Sequence, residues 1–342
     1  MMLKNELEKI LAGSDLTADE MGGALDKIAS GKVPAVQIGA FLGALRSKGE
    51  SESELVGAAR LLRRKCRFID HGATEVIDTC GTGGDRRDGR STFNISTTCA
   101  FVAAGAGVGV AKHGNRSVSS QCGSADVLAE LGYNLDAPAD AVEDSIMDNG
   151  IGFLFAAKLH PVMGTVAQYR RELGVRTIFN MLGPLINPAN AGAQLLGVYD
   201  AKLTELFAGV LRDLQVRRAF VVHGHDGMDE ITICAPTRIS ELKDGMIHTY
   251  DLHPEIYLGK LYSAEEIPGG DARENARILR SVLSGEDHGA ARAITVLNSG
   301  AAILVAGKAE DLRDGIRKAE QSIDSGAAAA KLEDLIRSSK NV

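Results

Sequence analysis

Between Asp78 and Ser124 the chain gathers glycines, hydroxyls and fixed cations in an order that suits a phosphorylated ligand. The first group is Asp78-Thr79-Cys80-Gly81-Thr82-Gly83-Gly84-Asp85, the second Thr92-Phe93-Asn94-Ile95-Ser96-Thr97, the third Lys112-His113-Gly114-Asn115-Arg116-Ser117-Val118-Ser119-Ser120. A phosphate needs backbone N–H groups that approach without a Cβ in the way, and a helix N-terminus adds a favourable dipole. The glycine loop alone is ambiguous. It lacks the Gly-Lys-Ser/Thr of a Walker loop and the spacing of a dinucleotide fingerprint, so a plain turn explains it as well. A helix start at residues 94–97, soon after it, favours two phosphate cradles side by side.

The third group sets Lys112, His113 and Arg116 around a glycine. Solvated surface charge is one reading. Its position after an apolar strand and before Ser117, Ser119 and Ser120 favours an anion site, where lysine acts as a point charge and arginine grips two oxygens. Asp229-Glu230 offers adjacent hard carboxylates after a glycine-containing loop. Such a pair is either solvated or a Mg²⁺ site that borrows further oxygens from a diphosphate and water, with the Ser96 hydroxyl as an additional donor. Arg170-Arg171-Glu172-Leu173-Gly174-Val175-Arg176 reads as a helix end stopped by Gly174, and spacing does not choose between a surface cluster and an arginine facing an aromatic acid. His160-Pro161 and Gly183-Pro184-Leu185-Ile186-Asn187-Pro188 read as rigid turns. No nucleophile–base–acid set emerges, and His223 and His225 read as loop structure. That pattern favours a reaction driven by leaving-group stabilisation.

These groups need strands that end at loops. From Glu75 onward, short apolar runs alternate with helices in an α/β rhythm. Strands are expected at 76–78, 108–111, 151–155, 195–199, 219–223, 231–234 and 247–252. Helices are expected from Asn94 or Ser96 through Val102, at about 124–132, 140–149, 201–215 and 288–306, and as a pair from Glu310 onward. The three loops of interest each follow a strand, where α/β sheets bind ligands. Residues up to about Ile69 read as helices instead. Leu3, Leu7, Ile10 and Leu11 share one face. Capping boxes at Thr17-x-x-Glu20 and Ser51-x-x-Glu54 open two helices, and Pro34 opens another whose buried side is Val36, Ile38, Phe41, Leu42 and Leu45.

The formal net charge of -7, with 44% hydrophobic and 24% charged residues, describes an ordinary globular chain and argues against gripping nucleic acid. The five cysteines form no Cys-x-x-Cys pair, which fits free thiols in a reducing compartment. No signal peptide and no apolar run of membrane-spanning length is found, so a cytoplasmic protein without a membrane partner is expected.

The ordered set resembles the anthranilate phosphoribosyltransferase family of the nucleoside-phosphorylase-like phosphoribosyltransferases. Its carriers are Gly81-Thr82-Gly83-Gly84-Asp85, residues 92–97, residues 112–120, Cys122-Gly123-Ser124-Ala125-Asp126, Arg170 to Gly174, and Asp226-Gly227-Met228-Asp229-Glu230. The resemblance spans essentially the whole chain. It implies an α/β fold: a small N-terminal helical domain over residues 1–70, joined by about 168–190, and a larger α/β domain over 71–342 with a central, mostly parallel sheet flanked by helices. It implies a homodimer that takes the tryptophan-pathway step joining 5-phosphoribosyl diphosphate (PRPP) to anthranilate, with Mg²⁺. By motif position Gly81, Gly84, Asp85, Thr92, Asn94, Ile95, Ser96, Thr97, Ser124 and residues 112–120 would meet PRPP. Gly81, Asn115 and Arg170 would meet anthranilate, and Ser96, Asp229 and Glu230 would hold the metal. Lys112 and Arg170 would act through charge and position. Association with the amidotransferase of the preceding step is left open.

One departure is the longer link Arg86-Arg87-Asp88-Gly89-Arg90-Ser91 between the glycine loop and Thr92. It reads as a surface insertion or as extra phosphate contacts, in which case reversing the charge of Arg86 and Arg87 raises the PRPP KM. Tyr169, beside Arg170, could narrow the acceptor pocket. Two other readings are a pyrimidine nucleoside phosphorylase, against which Asp229-Glu230, Asn115 and Arg170 speak, and a nucleic-acid-binding relative, which would have lost these motifs and gained positive charge.

Overall fold

In a computed structural model of the chain, residues 2–83, 92–117 and 121–340 are described. Gly84, Asp85, the stretch 86–91, Val118, Ser119 and Ser120 fall outside them.

The N-terminal part is helical: Lys4–Leu11, Ala18–Ala29, Ala35–Lys48 and Glu52–Lys65. Both expected capping boxes form, at Thr17 with Glu20 and at Ser51 with Glu54. Glu54 is wholly buried, and its carboxylate accepts from the Leu16 and Ser51 amides and from Lys48 Nζ. A buried carboxylate persists when its lone pairs are met in this way. One expected buried position is corrected, since Val36 is 83% exposed, and on the shared face of the first helix Leu11 is 70% exposed. Leu11 is the last residue of a two-turn helix, and Val36 lies in the first turn of its own, where the helix end projects past the neighbouring packing.

The α/β part carries one seven-stranded sheet in the order β3-β2-β1-β4-β5-β6-β7. Its strands are β1 (Val76–Gly81), β2 (Gly109–Gly114), β3 (Ile151–Phe155), β4 (Ala193–Gly197), β5 (Arg218–Gly224), β6 (Thr237–Lys243) and β7 (Met246–Leu252). The first five in space are parallel, and β6 and β7 are antiparallel additions at one edge. Successive side chains along a strand point to opposite faces. Ile77, Leu195, Phe220 and Val222 therefore face one core, formed with helices Ile95–Gly105, Ala290–Val305, Leu312–Asp324 and Ala327–Ser338. Leu196, Ala219 and Val221 face another, shared with the N-terminal helices and helix Leu203–Asp213. A smaller core joins Val76, Ala111 and Leu154 to helix Ala139–Asn149.

The expected strand at 231–234 is absent. Ile231 and Ile233 are buried, but no strand partners their backbone. Instead the buried Asn298 carboxamide accepts from the Ile231 amide at 2.9 Å and donates to its carbonyl at 2.8 Å, so one side chain does the work of a neighbouring strand. The true strand is β6, whose polar Thr-Arg-Ile-Ser-Glu-Leu-Lys sequence hides its alternation. Helix Pro161–Leu173 replaces the expected rigid turn, with Pro161 at its first position, where a missing N–H costs nothing. Helix Ala272–Leu283 was also unanticipated, although Ala276, Leu279 and Leu283 have helical spacing and Asp271 caps it.

Candidate functional site

The topology fixes where a ligand can sit. β1 leads leftward in the sheet to β2, whereas its other neighbour, β4, leads rightward to β5. The loops leaving β1 and β4 therefore diverge, and the crevice between their carboxyl ends is the topological switch point of the sheet. The glycine loop leaves β1 at this crevice. Gly81 pairs with Gly197, the Thr82 amide donates to the Gly197 carbonyl, and the Tyr199 amide donates to the Thr82 hydroxyl.

Asp229 closes the crevice. It is buried, and its Oδ2 accepts from the Gly83 amide at 2.9 Å. A Cβ on Gly81 would stand 2.5 Å from the same oxygen, and one on Gly197 would overlap the Asp229 backbone carbonyl. Glycines at 81 and 197 thus let the acidic loop lie on the sheet end. Glu230 follows directly, and its field helps raise the pKa of the Cys99 thiol, which burial above all pushes up to about 12.

Lys112 comes from β2 and is nearly fully buried; its Nζ donates to the Thr79 carbonyl and reaches the Ser96 hydroxyl at 3.4 Å. Ser96 lies in the first turn of helix Ile95–Gly105, and its carbonyl accepts from the Thr79 hydroxyl. Asn94 precedes the helix but does not cap it with its side chain. That carboxamide is held by Asn275, whose Nδ2 donates to Asn94 Oδ1 at 3.0 Å, while Asn94 Nδ2 donates to the Cys122 carbonyl. No side chain caps the first turn, whose Ile95 and Thr97 amides donate to the Phe93 and Asn94 carbonyls, so the helix end offers an anion chiefly its dipole. Thr97 is wholly buried and Thr92 partly so.

The turn after Lys112 is knitted to helix Ser124–Glu130. Asp126 accepts from Arg116 Nη1, from the Ser117 amide and from the Gly123 amide, and the Ala125 amide and Ser124 hydroxyl donate to the Asn115 carbonyl. Arg116 is thus engaged by a carboxylate of its own chain. Gly114 is required here, since its Cβ would stand 2.7 Å from the Phe153 ring. His113 points the other way, to the Gly183 carbonyl and to His160, the two Nε2 atoms 3.2 Å apart. Burial drives both imidazoles down, His113 to about 3 and His160 to about 4, so the pair is neutral near pH 7. Arg170 is carried by helix Pro161–Leu173, over the Phe179 ring at 5.9 Å, and burial lowers its pKa from the ordinary value. Asn115 stands two residues after His113 and Arg170 on the helix that begins directly after His160, so the His113–His160 contact joins the two segments that carry them.

Ser96, Asp229 and Glu230, which the resemblance assigns to the metal, carry oxygen donors only. Among the described residues no group of three His, Cys, Asp or Glu side chains converges to hold a metal. A hard-oxygen set this small fits Mg²⁺, which takes one or two carboxylates and completes its shell with phosphate and water. The thiol in the glycine loop is no nucleophile: burial and then the Asp78 charge raise the Cys80 pKa well above its ordinary value. His223 and His225 serve the loop as expected, bonding the Val198 carbonyl and Asp251. Sequence reasoning missed Asp78, Asn187, Asn275 and Gly197. Asp78 and Asn187 stood inside quoted segments, but only their pairing in space gives them a task.

Residues 73–329 match the glycosyl transferase family, a/b domain, and residues 4–66 the glycosyl transferase family, helical bundle domain. The chain is 56% identical over 336 residues to the anthranilate phosphoribosyltransferase of Syntrophobacter fumaroxidans, covering 98% of both. Among solved structures, the anthranilate phosphoribosyltransferase of Thermus thermophilus superposes with a TM-score of 0.91 at 39% identity, covering 98% of this chain and 99% of that one. That of Saccharomyces cerevisiae in complex with PRPP and Mg also superposes at 0.91, with 29% identity over 99% and 98%; the same yeast enzyme with 4-fluoroanthranilate superposes at 0.89, again with 29% identity over 99% and 98%.

Proposed function

The chain belongs to the anthranilate phosphoribosyltransferase family, and from that premise we propose that it joins the ribosyl C1 of PRPP to the amine of anthranilate, releasing diphosphate. This is the second step of tryptophan synthesis from chorismate. The observation that carries the reading is the convergence at the switch-point crevice of the glycine loop, the Asp229 carboxylate that seals it, and the Lys112–Ser96 pair at the adjoining helix N-terminus.

The expected chemistry is loss of diphosphate from C1 as positive charge builds on the ribose ring. Lys112 offers fixed positive charge to the departing group, and the N-terminus of helix Ile95–Gly105 adds its dipole. Mg²⁺, when bound by Asp229, Glu230 and Ser96, supplies further charge to the diphosphate oxygens. Gly84, Asp85, Thr92, Asn94, Lys112, Ser120 and Ser124 are assigned to PRPP, Asn115 and Arg170 to anthranilate, and Gly81 to both. Anthranilate's aromatic amine is neutral and nucleophilic at pH 7, so Arg170 has only to seat the carboxylate and aim the amine. Inversion at C1 follows. The raised thiols and neutral imidazoles fit a site without covalent or strong-base catalysis.

We assign residues 1–70, with the 168–190 segment, to a helical domain: helix Pro161–Leu173 packs on the N-terminal helices, and Val166, Ile178 and Leu182 lie in their core. A homodimer is proposed through the N-terminal helices, where Met2, Leu11 and Val36 are exposed. A cytoplasmic location is proposed as well; among the described residues no helix is long and apolar enough to cross a membrane.

The test is loss of anthranilate fluorescence with PRPP, with and without Mg²⁺, in wild type and Arg170→Ala. Mg²⁺-dependent loss with a raised anthranilate KM in the variant is expected. A folded wild type that leaves anthranilate untouched would turn the reading to nucleoside phosphorolysis.

A further inference from the structure

β1 and β2 are paired only at Val76↔Gly109 and Ile77↔Val110. On their outer sides the ladders run on, β1 with β4 to Gly81↔Gly197 and β2 with β3 to Gly114↔Phe155. The two strands therefore part at their carboxyl ends, at the heart of the sheet, where unpaired main-chain groups are costly. Side chains fill the gap. Asp78 Oδ1 accepts the His113 amide at 3.1 Å, Asn187 Nδ2 donates at 2.8 Å both to Asp78 Oδ2 and to the Ala111 carbonyl, and Lys112 Nζ takes the Thr79 carbonyl. The Asn187 Oδ1 is used in turn by the Ala189 amide.

We propose that Asp78 is a positioning residue, whose buried carboxylate holds β1 and β2 apart and so fixes where Lys112 and the turn that follows it stand. The carboxylate is completely buried, and an isolated charge at that depth would be strongly disfavoured. Burial raises its pKa on balance, and its partners oppose that rise: Lys112 attracts it, Asn187 and the His113 amide donate to it, and the half-buried Arg63 guanidinium, anchored on the Leu185 carbonyl, feels its charge. Asp78 thereby joins three pieces with different tasks: the strand that delivers the glycine loop, the strand that delivers Lys112, and the 183–188 segment returning from the Arg170 helix. An apolar residue of the same volume could fill the space but would leave the His113 amide without an acceptor and Lys112 without its counter-charge.

This inference rests on the assignment of Lys112 to the departing diphosphate, and a double-mutant cycle separates the two. Wild type, Asp78→Asn, Lys112→Ala and the double variant are compared for kcat, both KM values and Tm at saturating Mg²⁺. Asn keeps an acceptor for the His113 amide but sets an NH₂ against Asn187 Nδ2 and removes the charge. Expected is a roughly tenfold to hundredfold loss of kcat from Asp78→Asn in the wild-type background, and less than about threefold in the Lys112→Ala background, since two residues acting as one unit are not additive. The same fold-loss in both backgrounds overturns the proposal, as does a lowered Tm with unaltered kcat. Should Asp78→Asn fail to fold, Asn187→Ser loosens the carboxylate while keeping its charge, and the same cycle with Lys112→Ala decides. A Lys112→Ala enzyme with full kcat refutes the role of Lys112 and the proposal with it, whereas additive losses on an impaired Lys112→Ala enzyme refute the positioning role alone.

Discussion

Gly81→Ala tests the seal between the glycine loop and the acidic pair. Gly81 has an ordinary backbone conformation, unlike Gly83 at φ +65, so the added methyl acts by contact alone. That methyl would stand 2.5 Å from Asp229 Oδ2 and 3.3 Å from its Cγ. The oxygen must retreat by at least about half an ångström, because carbon–oxygen contacts relax only beyond about 3 Å. It cannot retreat with its main chain, which lies against Gly197 so closely that a Cβ there would overlap the Asp229 carbonyl. The carboxylate therefore turns about its own side-chain bonds and gives up the 2.9 Å bond from the Gly83 amide. A hydrogen bond to a charged group contributes about 1.5–3 kcal/mol, which is about tenfold to a hundredfold at about 1.4 kcal/mol per decade. The assay is initial-rate loss of anthranilate fluorescence over a Mg²⁺ titration, with Tm as a folding control. We expect kcat/KM for PRPP to fall by that factor at low Mg²⁺ and part of it to return as Mg²⁺ is raised. A variant with wild-type Mg²⁺ dependence and turnover would refute the argument that Gly81 keeps room for a working Asp229.

The His113–His160 pair sets a pH dependence of stability. Both imidazoles titrate well below the ordinary value of 6.5, at about 3 and about 4, so between about pH 6.5 and 4 the unfolded chain binds more protons and stability falls as pH falls. Each histidine adds up to about 1.4 kcal/mol per pH unit in that window; urea midpoints at pH 7, 6 and 5 should show the slope, and His160→Gln should lessen it. Asn298→Leu strips both backbone partners from Ile231, next to Glu230, at a cost of about 1–3 kcal/mol for each buried group left unpaired. Chemical denaturation should register the loss, and unchanged stability would mean that segment finds other partners. Val36→Glu places a charge on an exposed apolar position of the proposed dimer contact, and sedimentation should record a shift toward monomer without loss of helix content.

Much of the architecture was legible because periodicity survives in the sequence. The capping boxes at Thr17 and Ser51, the apolar runs of β1 to β5 and the final helix pair are local signals, and they fold as read. The motifs, too, are local: a glycine loop after a strand, a lysine at a strand end, two adjacent carboxylates. These determined the ligand class and the family. Signals failed where the deciding partner lies far along the chain. Ile231 and Ile233 look like a strand until Asn298, sixty-seven residues later, takes the backbone bonds of Ile231. β6 looks polar because its neighbours in the sheet, not its own composition, make it a strand. What only the tertiary structure decided is which motif touches which. Asp229 reaches Gly83 across 146 residues, Asn187 reaches Asp78 across 109, and Asn275 holds Asn94 across 181. The sequence carries the donor and acceptor chemistry of each residue, but a hydrogen bond needs its partner within about 3 Å, and that distance is set by how the sheet orders its strands.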